Sequence, residues 1–259
     1  MIFQGSPSPI TEFFSVFGYW DHILAGFLMT MWLYMWALII GFFLGLTLAI
    51  LRQYGGWFLS RISTGYIELI RGTPLLAQLL LFYFLPFSIN AILEAQDLPF
   101  IPIGRWSFSV SFMILDRDIT IILLNHRTLI GILTLGLNSA AYQAEYLRGA
   151  MTSVGTGQLL AAQSLGMSRI AGIRYIVLPQ TLRRVIPAWS NEAAYLPKYT
   201  VVVYIIGVTE LFAEAHYIVS QLFLSLTTYI VVALIFLVLI TLISKGLDIV
   251  HKRTAIPGL

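Results

Sequence analysis

Residues 23–51 and 217–244 each run without one charged side chain, and nothing else in the sequence constrains the fold as strongly. A helix that crosses a bilayer needs about 20 apolar residues, and both runs exceed that. Lipid offers no water to backbone N–H and C=O groups, so such a run must satisfy them internally, as a helix. Composition agrees: 58% of the 259 residues are hydrophobic and 10% charged, where a soluble domain carries about 25% charged residues. The expected medium is a lipid bilayer, and the chain a multi-pass protein of the cytoplasmic membrane.

A formal charge of +3 is too modest to suggest nucleic acid, and the absence of cysteine excludes disulfides and thiolate metal sites. The first 22 residues hold Glu12 and Asp21 but no Lys or Arg. That is not the basic start of a cleaved signal peptide, so the mature chain is expected to keep its N-terminus as an extracytoplasmic lead-in along the membrane surface.

Read in order, residues 1–259 form a single all-α polytopic domain with five transmembrane helices, at about 23–51, 62–87, 128–147, 185–208 and 217–244. An outer insertion, read as a long polar loop, occupies 88–125, and an inner loop occupies 148–184. Lys and Arg gather on the cytosolic side of membrane proteins. With the N-terminus outside, that side receives Arg52, Arg61, Arg148, Arg169, Arg174, Arg183, Arg184, Lys245, Lys252 and Arg253. The outer side receives only Arg105, Arg117 and Arg127, with eight of the twelve acids. The expected topology is N-out, C-in.

No GxxxxGK[ST] phosphate loop, HExxH or GxSxG occurs, so no route to ATP, metal or acyl chemistry is visible. His22, His126, His216 and His251 are scattered and read as surface or interface residues. No catalytic or metal-binding residue is expected.

The inner loop has a specific layout. Gly155 and Gly157 release the chain from the third span, and 158–165 can form about two helical turns with Ala161 and Ala162 as a small-residue face. Gly166 suits a helix C-cap, Arg169 and Arg174 follow, and Leu178-Pro179 ends the next short element. A basic patch on lipid headgroups is the plainer alternative, but it would not need this glycine spacing.

On these residues the chain resembles the permease subunits of ATP-binding-cassette (ABC) importers of the polar amino acid family. Their signature loop is written EAA, three residues, G, about nine residues, then I-x-LP. Here it stands as Leu160-Ala161-Ala162, Gly166, Ile176 and Leu178-Pro179. Arg71-Gly72-Thr73-Pro74-Leu75-Leu76, Ala141-Tyr142 with Glu145 and Arg148-Gly149, and Gly207-Val208-Thr209-Glu210-Leu211 resemble the family as well. The resemblance covers about 24–87 and 128–245. It departs at Leu160, where the family has Glu, an acid that helps hold the short helix in a cleft of the ATPase.

The resemblance implies that 148–184 carries a short cytosolic coupling helix. Leu160, Ala161, Ala162, Gly166 and Arg169 would dock on a cytosolic ABC ATPase dimer. It implies a second permease copy or a paralogue, an extracytoplasmic substrate-binding protein and an amino acid substrate. ATP and Mg would bind to the partner ATPase, and no cofactor to this chain.

Ionisable groups at membrane depth are expensive, and each is a functional-site hypothesis. Glu68 and Arg71 lie three residues apart on a helix and can pair. Pro74 cannot donate to the Ile70 carbonyl, so Arg71 either meets a substrate carboxylate or belongs to a packing ion pair. Glu192, Tyr195 and Tyr199 fall at helical spacing, with Lys198 on another face. Where the family often has a second carboxylate, residue 199 is tyrosine, which leans away from arginine or lysine as substrate. A packing ion pair of Glu192 with Lys198 stays open. Arg71, Thr73, Asn191, Glu192, Lys198 and Tyr199 form the candidate substrate-binding set. Glu68, Asn138, Tyr142 and Glu145 are candidates for helix pairing or a gate.

The expected function is an ATP-driven importer subunit for a polar or zwitterionic amino acid. A self-sufficient secondary transporter or channel for small zwitterions is the rival, weakened by five spans with no internal repeat. A non-transporting scaffold or sensor is a third reading.

Overall fold

The computed structural model describes residues 8–96, 98–99 and 106–254. Expectations resting on the first seven residues, Asp97, Pro102 and Arg105 lie outside the described residues. The chain divides into two compact units, one of Met1–Met35, Leu76–Ile132 and Pro197–Leu239, the other of Trp36–Leu75, Leu133–Leu196 and Ile240–Leu259.

The first unit opens with α1 (Pro9–Phe17), started by Ser8, whose hydroxyl accepts the Thr11 N–H at 3.3 Å. Long α2 (Trp20–Tyr54) follows. The unit also contains α4 (Leu75–Glu94), α10 (Leu211–Leu222) and most of α11 (Ser225–Thr254). Its core joins Val16, Ile218 and Val231 with Leu211, Ala215 and Val232, all buried. Glu210 caps α10, accepting the Phe212 and Ala213 N–H groups at 3.0 and 2.9 Å, and the Thr30 hydroxyl accepts the Leu211 N–H at 3.1 Å.

The all-α expectation fails in this unit. β1 (Ser107–Ile114) and β2 (Arg117–Asn125) pair as an antiparallel hairpin. Leu115 and Asp116 turn the chain at φ 50° and 59°, the two-residue mirror-image turn that matches strand twist. The signal lay in Ser107-Phe108-Ser109-Val110-Ser111-Phe112, which alternates polar with aromatic or β-branched residues, the period of a strand. Nearby prolines and acids drew the sequence reading to a loop. Ile119 and Ile121 are buried, and the Trp32 indole donates to the Leu123 carbonyl at 2.8 Å. Residues 88–94 of the expected loop instead continue α4.

The second unit contains α3 (Trp57–Arg71), most of α5 (His126–Val154), and α9 (Ile186–Tyr199) up to Leu196. Between α5 and α9 lie α6 (Thr156–Ser164), α7 (Arg169–Gly172), a π-helical turn Ile173–Val177 and α8 (Leu178–Arg184). Here α2 and α5 approach through Gly41 and Gly45. A Cβ at Gly45 would lie 2.9 Å from the Ala140 carbonyl oxygen, and one at Gly41 2.5 Å from Gln143 Nε2. Small residues four apart are what lets two helices close up in a bilayer, where no hydrophobic effect drives them together. Ala49, Leu147, Ala150, Met151 and Val185 fill the core beside this seam.

Among the described residues, three helices are long and apolar enough to cross a membrane: Trp20–Tyr54, Leu75–Glu94 and Ser225–Arg253. The pair Ile186–Ile206 and Leu211–Leu222, bent by 56°, makes a fourth if it is one span. Several expected boundaries move. Residues 62–87 are not one helix, because Gly72-Thr73-Pro74 separates α3 from α4. The 15 residues of α3 reach only about 22 Å at 1.5 Å per residue, short of the roughly 30 Å hydrocarbon core. The 185–208 span changes at Thr200 from α-helix to a 3-10 segment, Thr200–Ile206. The 217–244 run is broken at Phe223, which sits at φ 58° and closes α10. Continuous hydropathy hid all these breaks, since a kink changes backbone geometry and not composition.

Candidate functional site

Two carboxylates organise the second unit, one half-buried and one buried, and α5 meets both. The first is its own Glu145. Arg52, at the end of α2, donates to Glu145 Oε1. Arg148, one turn along α5, donates to Oε2 through Nε at 3.2 Å and Nη2 at 3.0 Å. Arg71, ending α3, approaches only to 4.0 Å, and its guanidinium lies over the Tyr142 ring, 5.4 Å from the centroid. Glu68 turns to Arg52 at 3.6 Å. Among the described residues no ion pair joins Glu68 to Arg71, one of the two alternatives that the sequence left open. Both are on α3, but the carboxylate of α5 draws Arg71 while Arg52 draws Glu68. Three guanidiniums thus face two carboxylates, and Arg71, 39% exposed, has the loosest hold on an anion.

The second carboxylate is Glu192 of α9, 4% exposed. It accepts the Ser139 hydroxyl at 2.6 Å. Gln143 Nε2 donates to Ser139 Oγ at 3.0 Å, and the Trp189 indole donates to Gln143 Oε1 at 2.7 Å. A buried polar chain of this kind holds each side chain in one orientation. Glu192 therefore faces α5, whereas Asn191, Tyr195, Lys198 and Tyr199 are exposed on α9. Glu192, Tyr195 and Tyr199 lie at helical spacing on α9, with Glu192 buried and the two tyrosines exposed. Thr73 closes α3 by donating its hydroxyl to the Leu69 carbonyl at 2.9 Å and the Ile70 carbonyl at 3.5 Å. The acceptor that Pro74 leaves open is thus met within the turn. Asn138 is buried.

The inner loop is built on α6. Gly166 lies at φ +88° and donates to Gln163 at 2.9 Å, while Met167 donates to Ala162 at 3.1 Å, the double closure of a glycine-ended helix. Ala162 is buried; Leu160, Ala161 and Arg169 are exposed. Arg169 donates to the Tyr54 carbonyl at 3.1 Å. Leu178-Pro179 starts α8 where the sequence suggested an end. Proline is tolerated in a first turn because its missing N–H is not needed there, and the π turn before it accommodates the ring.

Sequence reasoning missed Arg52, Ser139, Gln143 and Trp189. Arg52 was assigned to a turn, and the other three carry no charge. The one available signal was Gly41-x-x-x-Gly45, which marks the seam against which Ser139 and Gln143 pack.

The helical membrane architecture, the buried charges and the short inner helix define a transport subunit. The family model for the binding-protein-dependent transport system inner membrane component matches residues 38–256, and the chain belongs to that family. It is similar to the glutamine transport system permease protein GlnP of Escherichia coli (strain K12), 31% identical over 90% of this chain and 93% of that protein. It is also similar to the nopaline transport system permease protein NocM of Agrobacterium fabrum, 31% identical over 81% of this chain and 78% of that one. A solved structure, described as a crystal structure of an amino acid ABC transporter with histidines, superposes with a TM-score of 0.72 at 31% identity. It covers 93% of this chain and 98% of the other.

Proposed function

We propose that the chain is the permease subunit of an ATP-driven importer that moves a polar amino acid across the cytoplasmic membrane. The observation that carries this is similarity over nearly the whole chain to the glutamine permease, seconded by the amino acid transporter structure. ATP hydrolysis belongs to a separate subunit, where ATP and Mg bind. Two cytosolic ATPase subunits dock on the loop of Leu160, Ala161, Ala162, Gly166 and Arg169. A second copy or a paralogue completes the pathway, and an extracytoplasmic binding protein delivers the substrate. Hydrolysis closes the ATPase pair, and α6 passes that motion to the spans.

The five-crossing, N-out, C-in arrangement is supported by the excess of Lys and Arg on one side. It takes the three apolar helices, the bent pair as one span and α5, which has 29 residues. Arg71 and Thr73, and Asn191, Glu192, Lys198 and Tyr199 on or beside α9, remain the substrate set. Glu68, Asn138, Tyr142 and Glu145 serve helix pairing or a gate. A single carboxylate with Tyr199 suits a zwitterion better than a second cationic group. The self-sufficient carrier is not favoured by any relative above.

The test is purification of the tagged chain from its native membrane in mild detergent, with mass spectrometry of its companions. A stoichiometric nucleotide-binding subunit supports the proposal. A chain that comes out alone and transports without ATP overturns it.

A further inference from the structure

Two stretches of the first unit carry an apolar surface beside a break in the backbone. In α1, Ile10, Phe13, Phe14 and Phe17 recur at helical spacing and all four are exposed, Phe14 by 69%. The roll of this helix is fixed from its other side. Val16 is buried against Ile218 and Val231. Glu12, the one charged residue of α1, accepts the hydroxyl of Thr227, the third residue of α11, at 2.6 Å. The aromatic stripe is thereby held pointing away from the unit. The second stretch is the corner between α10 and α11. Phe223 there is 85% exposed, and Leu226, next to Thr227, 76%. Phe223 sits at φ 58°, a left-handed conformation that an aromatic residue keeps only where its surroundings hold it. The corner reads Leu-Phe-Leu-Ser-Leu over 222–226, whereas turns in water are built mostly from Gly, Pro, Asn, Asp and Ser.

Neither water nor the hydrocarbon core suits these stretches. Large apolar side chains clustered at a surface mark a contact. A break in a helical chain leaves backbone groups that lipid tails cannot satisfy, and each stretch contains one. Gly18 and Tyr19 part α1 from α2, and Phe223 and Leu224 part α10 from α11. The headgroup layer meets both needs, because it takes apolar side chains to a depth of about 5–10 Å and keeps water within reach of the backbone. The surface is also continuous with the membrane spans, since α2 and α11, which start at these breaks, are long and apolar enough to cross. A protein partner would expect a polar rim around an apolar centre, whereas the stripe of α1 runs from one end of the helix to the other without a polar residue.

We propose that α1 and the α10–α11 corner together form a lipid-binding surface, which lies in the headgroup layer and holds that end of the first unit there. With no Lys or Arg on α1, the surface binds by burial of aromatic and aliphatic side chains and not by attraction to anionic lipid. It stands on the membrane spans alone and is independent of the cargo and of the ATPase.

The chain has no cysteine, so Phe14→Cys and Leu226→Cys each create a single site for an environment-sensitive fluorophore. Both side chains are exposed, so neither change empties the core. The full-length labelled variants are placed in phosphatidylcholine vesicles. They are quenched in turn by iodide on both sides of the membrane, by a lipid with a nitroxide near the top of its acyl chain, and by one with a nitroxide near the bilayer centre. At both sites the shallow nitroxide is expected to cause the greatest loss of fluorescence. Greatest loss from iodide at either site would put it in water, and greatest loss from the deep nitroxide would put it in the core. Protection from all three would put it beneath protein. Each of these three results overturns the proposal.

Discussion

Glu145 is half-buried and Glu192 buried, and the two are neutralised in opposite ways. Glu145 has Arg52 and Arg148 bonded to it and Arg71 behind them. Glu192 has a serine hydroxyl supported by Gln143 and Trp189. A carboxylate ringed by guanidiniums is fixed, because removing it leaves neighbouring cations, Arg52 among them only 18% exposed, without compensation. One held by a neutral hydroxyl can be drawn to a cationic ligand without leaving a guanidinium uncompensated. The first arrangement suits a joint and the second a binding group.

The largest effect expected from this contrast is Glu145→Ala. It should destabilise the chain by about 3 kcal/mol, through the loss of charged hydrogen bonds at a part-buried site, seen as a lower melting temperature in detergent. A melting temperature close to wild type would show that the cluster is ornamental. Next is the seam that positions Gln143: Gly45→Val places a side chain against the Ala140 carbonyl and should cost about 1–3 kcal/mol by overpacking. Ser139→Ala removes the hydroxyl that donates to Glu192 and should cost about 1–3 kcal/mol for the lost hydrogen bond, with uptake reduced in parallel. Glu192→Gln sharpens the comparison. Its amide oxygen can still accept from Ser139, so stability should stay within about 1 kcal/mol of wild type while amino acid uptake is lost. If this variant unfolds the chain as Glu145→Ala does, the two carboxylates are alike and both are structural. The smallest effect is Gly166→Ala, about 1 kcal/mol for a side chain at positive φ, read as weaker ATPase recovery from an otherwise stable protein.

The parts legible in the sequence were those where composition and geometry coincide. The uncharged runs gave α2 and α11, and the glycine at 166 gave the end of α6. Illegible parts depended on tertiary choices. Whether Arg71 pairs with Glu68 or turns to Glu145 is decided by α5, 74 residues on, and no local spacing contains that. The burial of Glu192 depends on Ser139 and Gln143, which read as ordinary helix residues until Gly41 and Gly45 bring α2 against them. The hairpin was legible and was overridden: its alternation was present in 107–112, but the acids and prolines on either side weighed more.

That hairpin has a practical consequence. Leu115 at its tip is 83% exposed and sits in a backbone conformation that suits glycine better than leucine, so a change there removes no packing and relieves strain. The chain contains no cysteine. A single cysteine introduced beside the tip, at Met113, 67% exposed on β1, would therefore be a unique handle for an impermeant thiol reagent. Labelling of intact cells against broken ones would report which side of the membrane the insertion faces, with no other residue to confuse the signal.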